Sequence, residues 1–390
     1  MQNIWKLMVI RFFNSLIPAY VIERLFWEQR GMTIQMVVYT EIIYAVTIVL
    51  LEVPTGILAD KWSCKRMLVI GAWLGWCEFV ILVFATQFWH FAAAVLLAGI
   101  ERSAGSGAEH ALLYDSLKRC GKEQQFERIV GRLRACDLLG AVLAALSGGM
   151  LASRYGFAFN YWLSAGSMLI ALAVTLTLTE PALSRPTDSN GKSRSFLGYM
   201  QEAMLFFKQQ RAVRLVVLIS MITGAALSFL DEFWQLYLNR LGIGVSLFGF
   251  FSTAWLLLRM PGNLLAHTLK SKLPIRTLLL GVTALFAAGL LCAAVMHGSA
   301  GLAAIGLIFL AAGMVEPLAA GYLHHRLDAS MRATIESFQS LGLNAFTVLA
   351  GLGFGYCSSK LDVFGGYGFI AVLCAVFLLY LWQASRKENM

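Results

Sequence analysis

Twelve acidic or basic side chains stand within long apolar stretches of this 390-residue chain. They are Arg11, Glu41, Glu78, Glu101, Arg102, Glu109, Asp137, Asp231, Glu232, Arg259, Glu316 and Glu336. An ionisable group in such surroundings is costly unless it is paired or hydrated, so each position is a candidate for function. A carboxyl group that faces a partly dry cavity can take up a proton and release it when the cavity opens to water.

The position of each carboxyl along its apolar stretch narrows the candidates for proton binding to five. Glu101, Asp231 and Glu232 come first, and Glu109 and Asp137 follow. The alternative role is structural. Glu101 would then pair with a nearby arginine, and Asp231 and Glu232 would lie in hydrated surroundings near the end of their stretch.

A second set of side chains could line a cavity for a small molecule. Arg11 and Asn14 are about one helical turn apart and can share a face, where Arg11 would either bind an anionic group or hold an acid of the fourth apolar stretch. Aromatic side chains could contact a hydrophobic or cationic compound, although near the ends of apolar stretches they also serve as interfacial anchors. The set is Arg11, Asn14, Arg102, Trp234, Tyr237 and Trp255.

The composition determines which elements must position these side chains. Hydrophobic residues make up 58% of the chain and charged residues only 14%, which is outside the usage of soluble domains. The chain is therefore expected to be an integral membrane protein with the lipid bilayer as its surroundings. Its net charge of +9 is attributed to membrane topology, and no nucleic-acid partner is expected.

Taking about 20 apolar residues for each membrane crossing, the sequence predicts twelve helical spans in two groups of six. They lie near 5–28, 33–58, 66–87, 90–117, 127–153, 156–179, 211–238, 243–268, 274–297, 299–323, 332–358 and 361–384. The predicted organisation is a first six-helix bundle over residues 1–180, a polar linker over 181–210 and a second bundle over 211–390.

Basic residues recur on alternate connections between the predicted spans. The other connections hold little beyond Arg24, Arg30, Arg154, Arg240 and Lys360. Lysine and arginine are retained on the cytoplasmic side, so both termini and the linker are expected to be cytoplasmic. The two halves also share residues at a constant offset of 207 positions, such as Pro54 with Pro261 and Lys65 with Lys272, as a duplicated six-helix unit would.

The connection between the second and third spans reads GILADKWSCKRML, and we call it the elbow (residues 56–68). Together with the twelve spans it resembles the major facilitator superfamily, and the resemblance covers essentially the whole chain. The elbow residues that match the pattern of that family are Gly56, Leu58, Ala59, Asp60, Lys61, Lys65 and Arg66, whereas Ser63 and Cys64 depart from it. The resemblance implies an all-α membrane fold of two six-helix bundles related by pseudo-two-fold symmetry.

Two further stretches are similar to exporters of this superfamily. In the fifth span Gly131, Gly140, Gly148 and Gly149 follow the glycine spacing of an exporter signature, with two alanines where Gly-Pro is expected. The fourth span resembles that of a bacterial subgroup of drug or metabolite exporters, and Arg102 is near the position of the buried arginine of the family. These similarities favour export.

The elbow is interpreted as a cytoplasmic gate that closes one side of the transporter, and the alternative is a charged loop that only sets topology. Asp60 would accept hydrogen bonds from a facing helix N-terminus or pair with Arg332, and Asp115 would pair with Lys61 or Lys65. The proposed gate residues are Gly56, Asp60, Lys61, Lys65, Arg66, Asp115 and Arg332.

These features together predict a proton-coupled secondary transporter that works by alternating access, as an exporter of a small amphipathic compound in the bacterial inner membrane. The alternatives are an importer or facilitator of a polar metabolite, and a membrane sensor that does not transport. An enzyme is disfavoured because no nucleophile with a base and no metal-ligand spacing stands out. The expected partners are the substrate and protons, with no cofactor or metal, and the expected state is a monomer.

Overall fold

A computed structural model describes residues 2–180, 210–326 and 329–385, and the regular structure in these ranges is helical without any strand. The α-helices are α1 (Gln2–Ser15), α2 (Glu23–Gln29), α3 (Ile34–Lys61), α4 (Cys64–Phe84), α5 (Phe88–Lys118), α6 (Phe126–Tyr155), α7 (Phe157–Leu176), α8 (Arg211–Arg240), α9 (Phe248–Lys270), α10 (Ile275–Val295), α11 (Ser299–Arg326) and α12 (Ala329–Ser385). Residues 181–209 of the predicted linker lie outside the described part.

Within the described ranges nine helical segments are long and apolar enough to cross a membrane. One of them, Gln339–Ala384, has 46 residues and is long enough for two crossings. Helices α5 and α9 are not among the nine, although their 31 and 23 residues suffice in length. They carry charged side chains, Glu101, Arg102 and Glu109 in α5 and Arg259 in α9, which lower their mean hydropathy.

The first predicted span, 5–28, is not one continuous helix, and this part of the prediction is wrong. Helix α1 ends at Ser15, a short 3-10 turn covers Pro18–Val21, and α2 follows from Glu23. Pro18 has no N–H to donate and restricts the backbone of the residue before it, so a helix is interrupted there. Two side chains of α7 bind buried backbone groups at this break. Asn160 Nδ2 donates to Pro18 O at 3.1 Å, and Ser164 Oγ accepts from Ala19 N at 3.1 Å.

A second break divides α12. Leu361 and Asp362 have non-helical dihedral angles, and Asp362 has a positive φ of 56°. The Asp362 carboxylate accepts from the Val363 amide at 2.7 Å and forms an ion pair with Arg240 at the end of α8. The turn falls at the boundary between the predicted spans 332–358 and 361–384, so α12 comprises two helices rather than one rod.

The chain separates into two compact units, Met1–Thr187 with Gly242–Thr253, and Asp188–Leu241 with Ala254–Met390. In the first unit a buried apolar cluster joins α1, α4, α5 and α6, and it includes Leu7, Met67, Leu112 and Leu133. In the second unit a buried cluster around α8 includes Val216, Leu279, Leu318 and Leu381. Each unit therefore has an apolar core of its own.

Candidate functional site

A cavity of 410 Å³ lies inside the first unit, between its helices. Nine charged side chains line it, although charged residues make up only 14% of the chain. The charged residues that line it are Arg11, Glu23, Arg24, Glu41, Glu78, Glu101, Arg102, Glu109 and Asp137. All the proton-binding and cavity residues predicted in this half line this one cavity, namely Arg11, Asn14, Glu101, Arg102, Glu109 and Asp137.

Arg11 of α1 holds two of the predicted acids. Its Nε donates to Glu109 Oε1 of α5 at 2.7 Å, and its Nη1 lies 3.3 Å from Asp137 Oδ2 of α6. Ser15 Oγ donates to the second oxygen of Asp137 at 3.2 Å. Asn14 lines the same cavity, and its buried Oδ1 has no hydrogen-bond partner in the described part of the chain. Arg11 thus ties α1 to α5 and α6 through charge-assisted hydrogen bonds.

A second ion cluster surrounds Arg24, which the sequence analysis assigned to a connection between spans. The break at Pro18 instead places Arg24 on α2, where its side chain is only 5% exposed. Its Nη2 donates to Glu41 Oε1 at 2.8 Å, Glu23 Oε1 lies 3.8 Å from Nη1, and its guanidinium stacks 4.3 Å from the Trp27 ring centre. Pro18 is the residue of the sequence from which this interruption of the helix could have been predicted.

Glu101 and Glu78 occupy a third part of the lining, at the contact between α5 and α4. Gly71 and Gly75 are one turn apart on α4, and a Cβ atom at Gly75 would overlap the Glu101 carboxylate. The glycines therefore make the room in which that carboxylate lies. Among the residues described, neither Glu101 nor Glu78 forms a side-chain hydrogen bond or salt bridge, although Arg102 interacts electrostatically with Glu101.

The predicted cavity and proton-binding residues of the second unit lie on α8 and α9. Asp231 of α8 pairs with Arg259 of α9, whose guanidinium lies 5.0 Å from the ring centre of Phe309. Trp234 and Trp255 are both buried and pack edge to face, with ring centres 5.3 Å apart. These contacts place the two tryptophans in the packed interior beside that ion pair.

Tyr237 and Glu232 complete the predicted residues of α8. Tyr237 is fully buried against Phe364 and Tyr367, and its hydroxyl has no hydrogen-bond partner among the described side chains. Glu232 is half-buried. The structure therefore places Tyr237 in the core of the second unit.

The elbow connects α3 to α4, and the Glu180 carboxylate binds the polar groups at the start of α4. The Glu180 carboxylate accepts from Ser63 Oγ at 2.7 Å, from Cys64 N at 3.1 Å and from Lys65 N at 2.8 Å. An acidic group at a helix N-terminus satisfies free amides and interacts favourably with the helix dipole. The sequence analysis did not single out Glu180 as a residue of the elbow.

The remaining gate residues are placed only in part. Arg66 stacks on Trp62 at 5.3 Å, Gly56 faces open space, and Asp115 lies near the end of α5. The side chains of Asp60, Lys61 and Arg332 lie outside the described part of the structure. The predicted contacts of Asp60 with Arg332 and of Lys61 with Asp115 therefore stay predictions.

Comparison with known proteins shows the family. The model of the Major Facilitator Superfamily matches residues 7–337. The chain is 24% identical over 401 residues to the Multidrug resistance protein MdtG of Citrobacter koseri, covering 96% of this chain and 90% of that protein. It is 23% identical over 400 residues to MdtG of Escherichia fergusonii, with the same coverage.

Solved structures show the same fold. The nucleoside transporter NupG superposes with a TM-score of 0.77 at 14% identity, covering 100% of both chains. A D-xylose-proton symporter superposes with a TM-score of 0.71 at 11% identity, covering 97% of each. The predicted all-α membrane architecture is confirmed, as is the prediction that the chain is not an enzyme. This chain is a member of the Major Facilitator Superfamily of membrane transporters.

Proposed function

We propose that this transporter is a proton-coupled exporter of a small amphipathic compound and that it works by alternating access. The observation that carries the proposal is the 410 Å³ cavity, in which buried or partly buried carboxyl groups and the aromatic side chains of Tyr20, Trp27 and Tyr44 line the same space. Such a cavity offers apolar surface for the body of a compound and ionisable groups for protons.

The direction of transport rests on two supports. The relatives that match almost the whole chain are named multidrug resistance proteins. The glycines of α6 follow the spacing of the exporter signature, and two of them, Gly140 and Gly148, pack against backbone oxygens of Phe12 and Pro18. Both supports favour export over import of a polar metabolite. We place the transporter in the bacterial inner membrane, as a monomer with both termini cytoplasmic.

The proposed coupling step involves carboxylates, some of which bind an arginine of another helix. A proton on Glu109 or Asp137 would remove the charge that binds Arg11, so α1 would be released from α5 or α6. Glu101 has no salt bridge in the described part of the chain and is our first candidate for the proton-binding group of the cavity. In the second unit a proton on Asp231 would release Arg259 in the same way. Glu232, the next residue of α8, is the other candidate there.

The test is transport in proteoliposomes under an imposed pH gradient, with a panel of amphipathic and polar compounds. We expect the gradient to drive an amphipathic compound against the flow of protons. Glu101→Gln should lower the gradient-driven rate at least about tenfold while downhill exchange continues, and Asp231→Asn and Glu232→Gln are measured in parallel. Glu127→Gln, which removes an exposed charge at the start of α6, is the matched control.

Each of the following results would contradict one part of the proposal. Gradient-driven transport that is unchanged in all three variants would overturn the coupling assignment. Movement of a polar metabolite together with protons would make the protein an importer. If no compound in the panel moves and none binds, the sensor alternative replaces transport.

A further inference from the structure

We propose that Glu78 and Glu101 form a binding site for the protonated amine of a cationic amphipathic substrate. The inference rests on the proposed function, because it assumes that the cavity of the first unit receives the transported compound. It names the chemical class of that compound and adds Glu78, which was not among the predicted site residues. We call the two carboxyls the carboxyl pair.

The charge balance of the cavity is the first argument. Six acidic side chains but only three arginines line it. Arg11 is bound by Glu109 and Asp137, and Arg24 is bound by Glu41 and lies close to Glu23. Two of the three arginines are therefore already engaged by more than one acid each, so acidic groups outnumber basic groups in the lining and a cationic ligand would complement them.

Glu78 supplies the second, independent argument. Its side chain is 8% exposed, it lines the cavity, and it has no hydrogen-bond or ion-pair partner in the described part of the chain. The charged side chains that act on it, Glu101 and Glu23, are both acidic. A carboxylate this buried without a donor is costly, and a ligand that brings N–H donors and a positive charge would relieve that cost.

The local packing keeps the carboxyl pair together. Gly71 and Gly75 let α5 approach α4 closely, and the Glu101 carboxylate lies against Gly75, about one helical turn from Glu78. Arg102 acts on Glu101 and on Tyr44, and it is not among the groups that act on Glu78. Glu78 is thus the member of the pair without a compensating cation.

The aromatic and apolar side chains of the lining indicate which kind of cation would bind. The same cavity is lined by the rings of Tyr20, Trp27 and Tyr44 and by the apolar side chains of Val95 and Ala98. An amine on an apolar or aromatic body would place its charge at the carboxyls and its body on these surfaces. A bound metal ion is disfavoured, since the described residues contain no group of three or more potential ligands arranged for a metal.

The experiment compares two probes that differ in one charge. Dansylcadaverine carries a protonated primary amine, and its N-acetyl derivative has the same body without the charge. Their binding to the purified full-length protein in detergent at pH 7.5 is followed by dansyl fluorescence. We expect the wild type to bind the amine at least about tenfold more tightly than the acetylated probe, because hydrogen bonds to charged groups are strong.

Variants assign the preference to the carboxyl pair. Glu78→Gln and Glu101→Gln should each lower the affinity for the amine about tenfold and leave that for the acetylated probe unchanged. Glu127→Gln removes an exposed charge of α6 outside the cavity and should keep the full preference. If a glutamine variant binds neither probe, the corresponding aspartate variant decides, and a recovered preference for the amine supports the proposal.

The proposal is overturned if the wild type binds both probes equally, if both glutamine variants keep the wild-type preference, or if the aspartate variants bind without any preference. Its failure is separable from failure of the proposed function, since binding is measured without a gradient. A protein with the amine preference but without gradient-driven transport keeps the site and loses the coupling. Gradient-driven transport without the preference keeps the function and loses the amine site.

Discussion

Arg11 is the residue that the sequence alone described best. Its spacing from Asn14 predicted a shared face, and the structure places both on the cavity. Arg11 contacts Glu109 and Asp137 on two other helices, and their side chains are 16% and 20% exposed. Because both acids would otherwise lie in a poorly hydrated site, we attribute to Arg11 the contact that keeps α1, α5 and α6 together at this level.

Arg11→Ala should lower the free energy of unfolding by about 1–3 kcal/mol, because it leaves two partly buried carboxylates without their shared donor. Thermal unfolding of the purified protein in detergent measures the change. The double variant Arg11→Ala with Glu109→Gln should lose less than the two single losses combined, because the stranded charge is gone. Losses that simply add would contradict a direct interaction between the two side chains.

Other cavity residues could not be placed from sequence. Glu41 and Glu78 were recognised as ionisable groups in apolar stretches, but periodicity does not tell which face of a long apolar helix meets a cavity. Arg24 was counted among the few basic residues of the connections opposite the cytoplasmic side and was not considered for the cavity. Only the turn at Pro18–Val21 brings Glu23 and Arg24 to the cavity lining.

At the scale of elements, the sequence predicted where the helices lie but not the interruption of the first predicted span. The apolar lengths gave the positions of α3 to α11 and the boundary inside α12. The break after α1 depends on α7, since Asn160 and Ser164 bind the backbone of Pro18 and Ala19. Long-range side-chain contacts of this kind have no periodic pattern in the sequence.

The glycines of α6 allow a matched comparison at this scale. A Cβ atom at Gly148 would lie 2.7 Å from Pro18 O, whereas one at Gly131 would meet nothing within 4 Å. Gly148→Ala should therefore destabilise the protein by about 1–3 kcal/mol. Gly131→Ala should be neutral or stabilising by up to about 1 kcal/mol, since alanine is the better helix former.

Thermal unfolding of both variants in the same detergent measures this difference. Equal effects at the two positions would show that helix propensity rather than close packing decides. A loss of stability at Gly148 alone would show that this glycine is needed for the close packing of α6 against the interrupted first span. The exporter-like pattern would then have a packing role whatever the direction of transport.

At the scale of the molecule, the prediction that still needs measurement is the orientation in the membrane. The basic connections predict that the turn between α5 and α6 faces the cytoplasm, together with both termini. Cys120 lies on this turn and is exposed, whereas Cys64 and Cys374 are buried. This native thiol can therefore report the side of the membrane without an added tag.

We expect a membrane-impermeant maleimide to label Cys120 in inside-out vesicles and not in right-side-out vesicles. Cys120→Ser should abolish the labelling, because the other cysteines are buried or half-buried within helices. In that background Lys360→Cys places an exposed thiol at the turn within α12, on a connection predicted to face the opposite side. It should be labelled in right-side-out vesicles. Labelling of both thiols from one side would contradict the alternation of the predicted spans, and the reverse pattern would place the termini outside the cytoplasm.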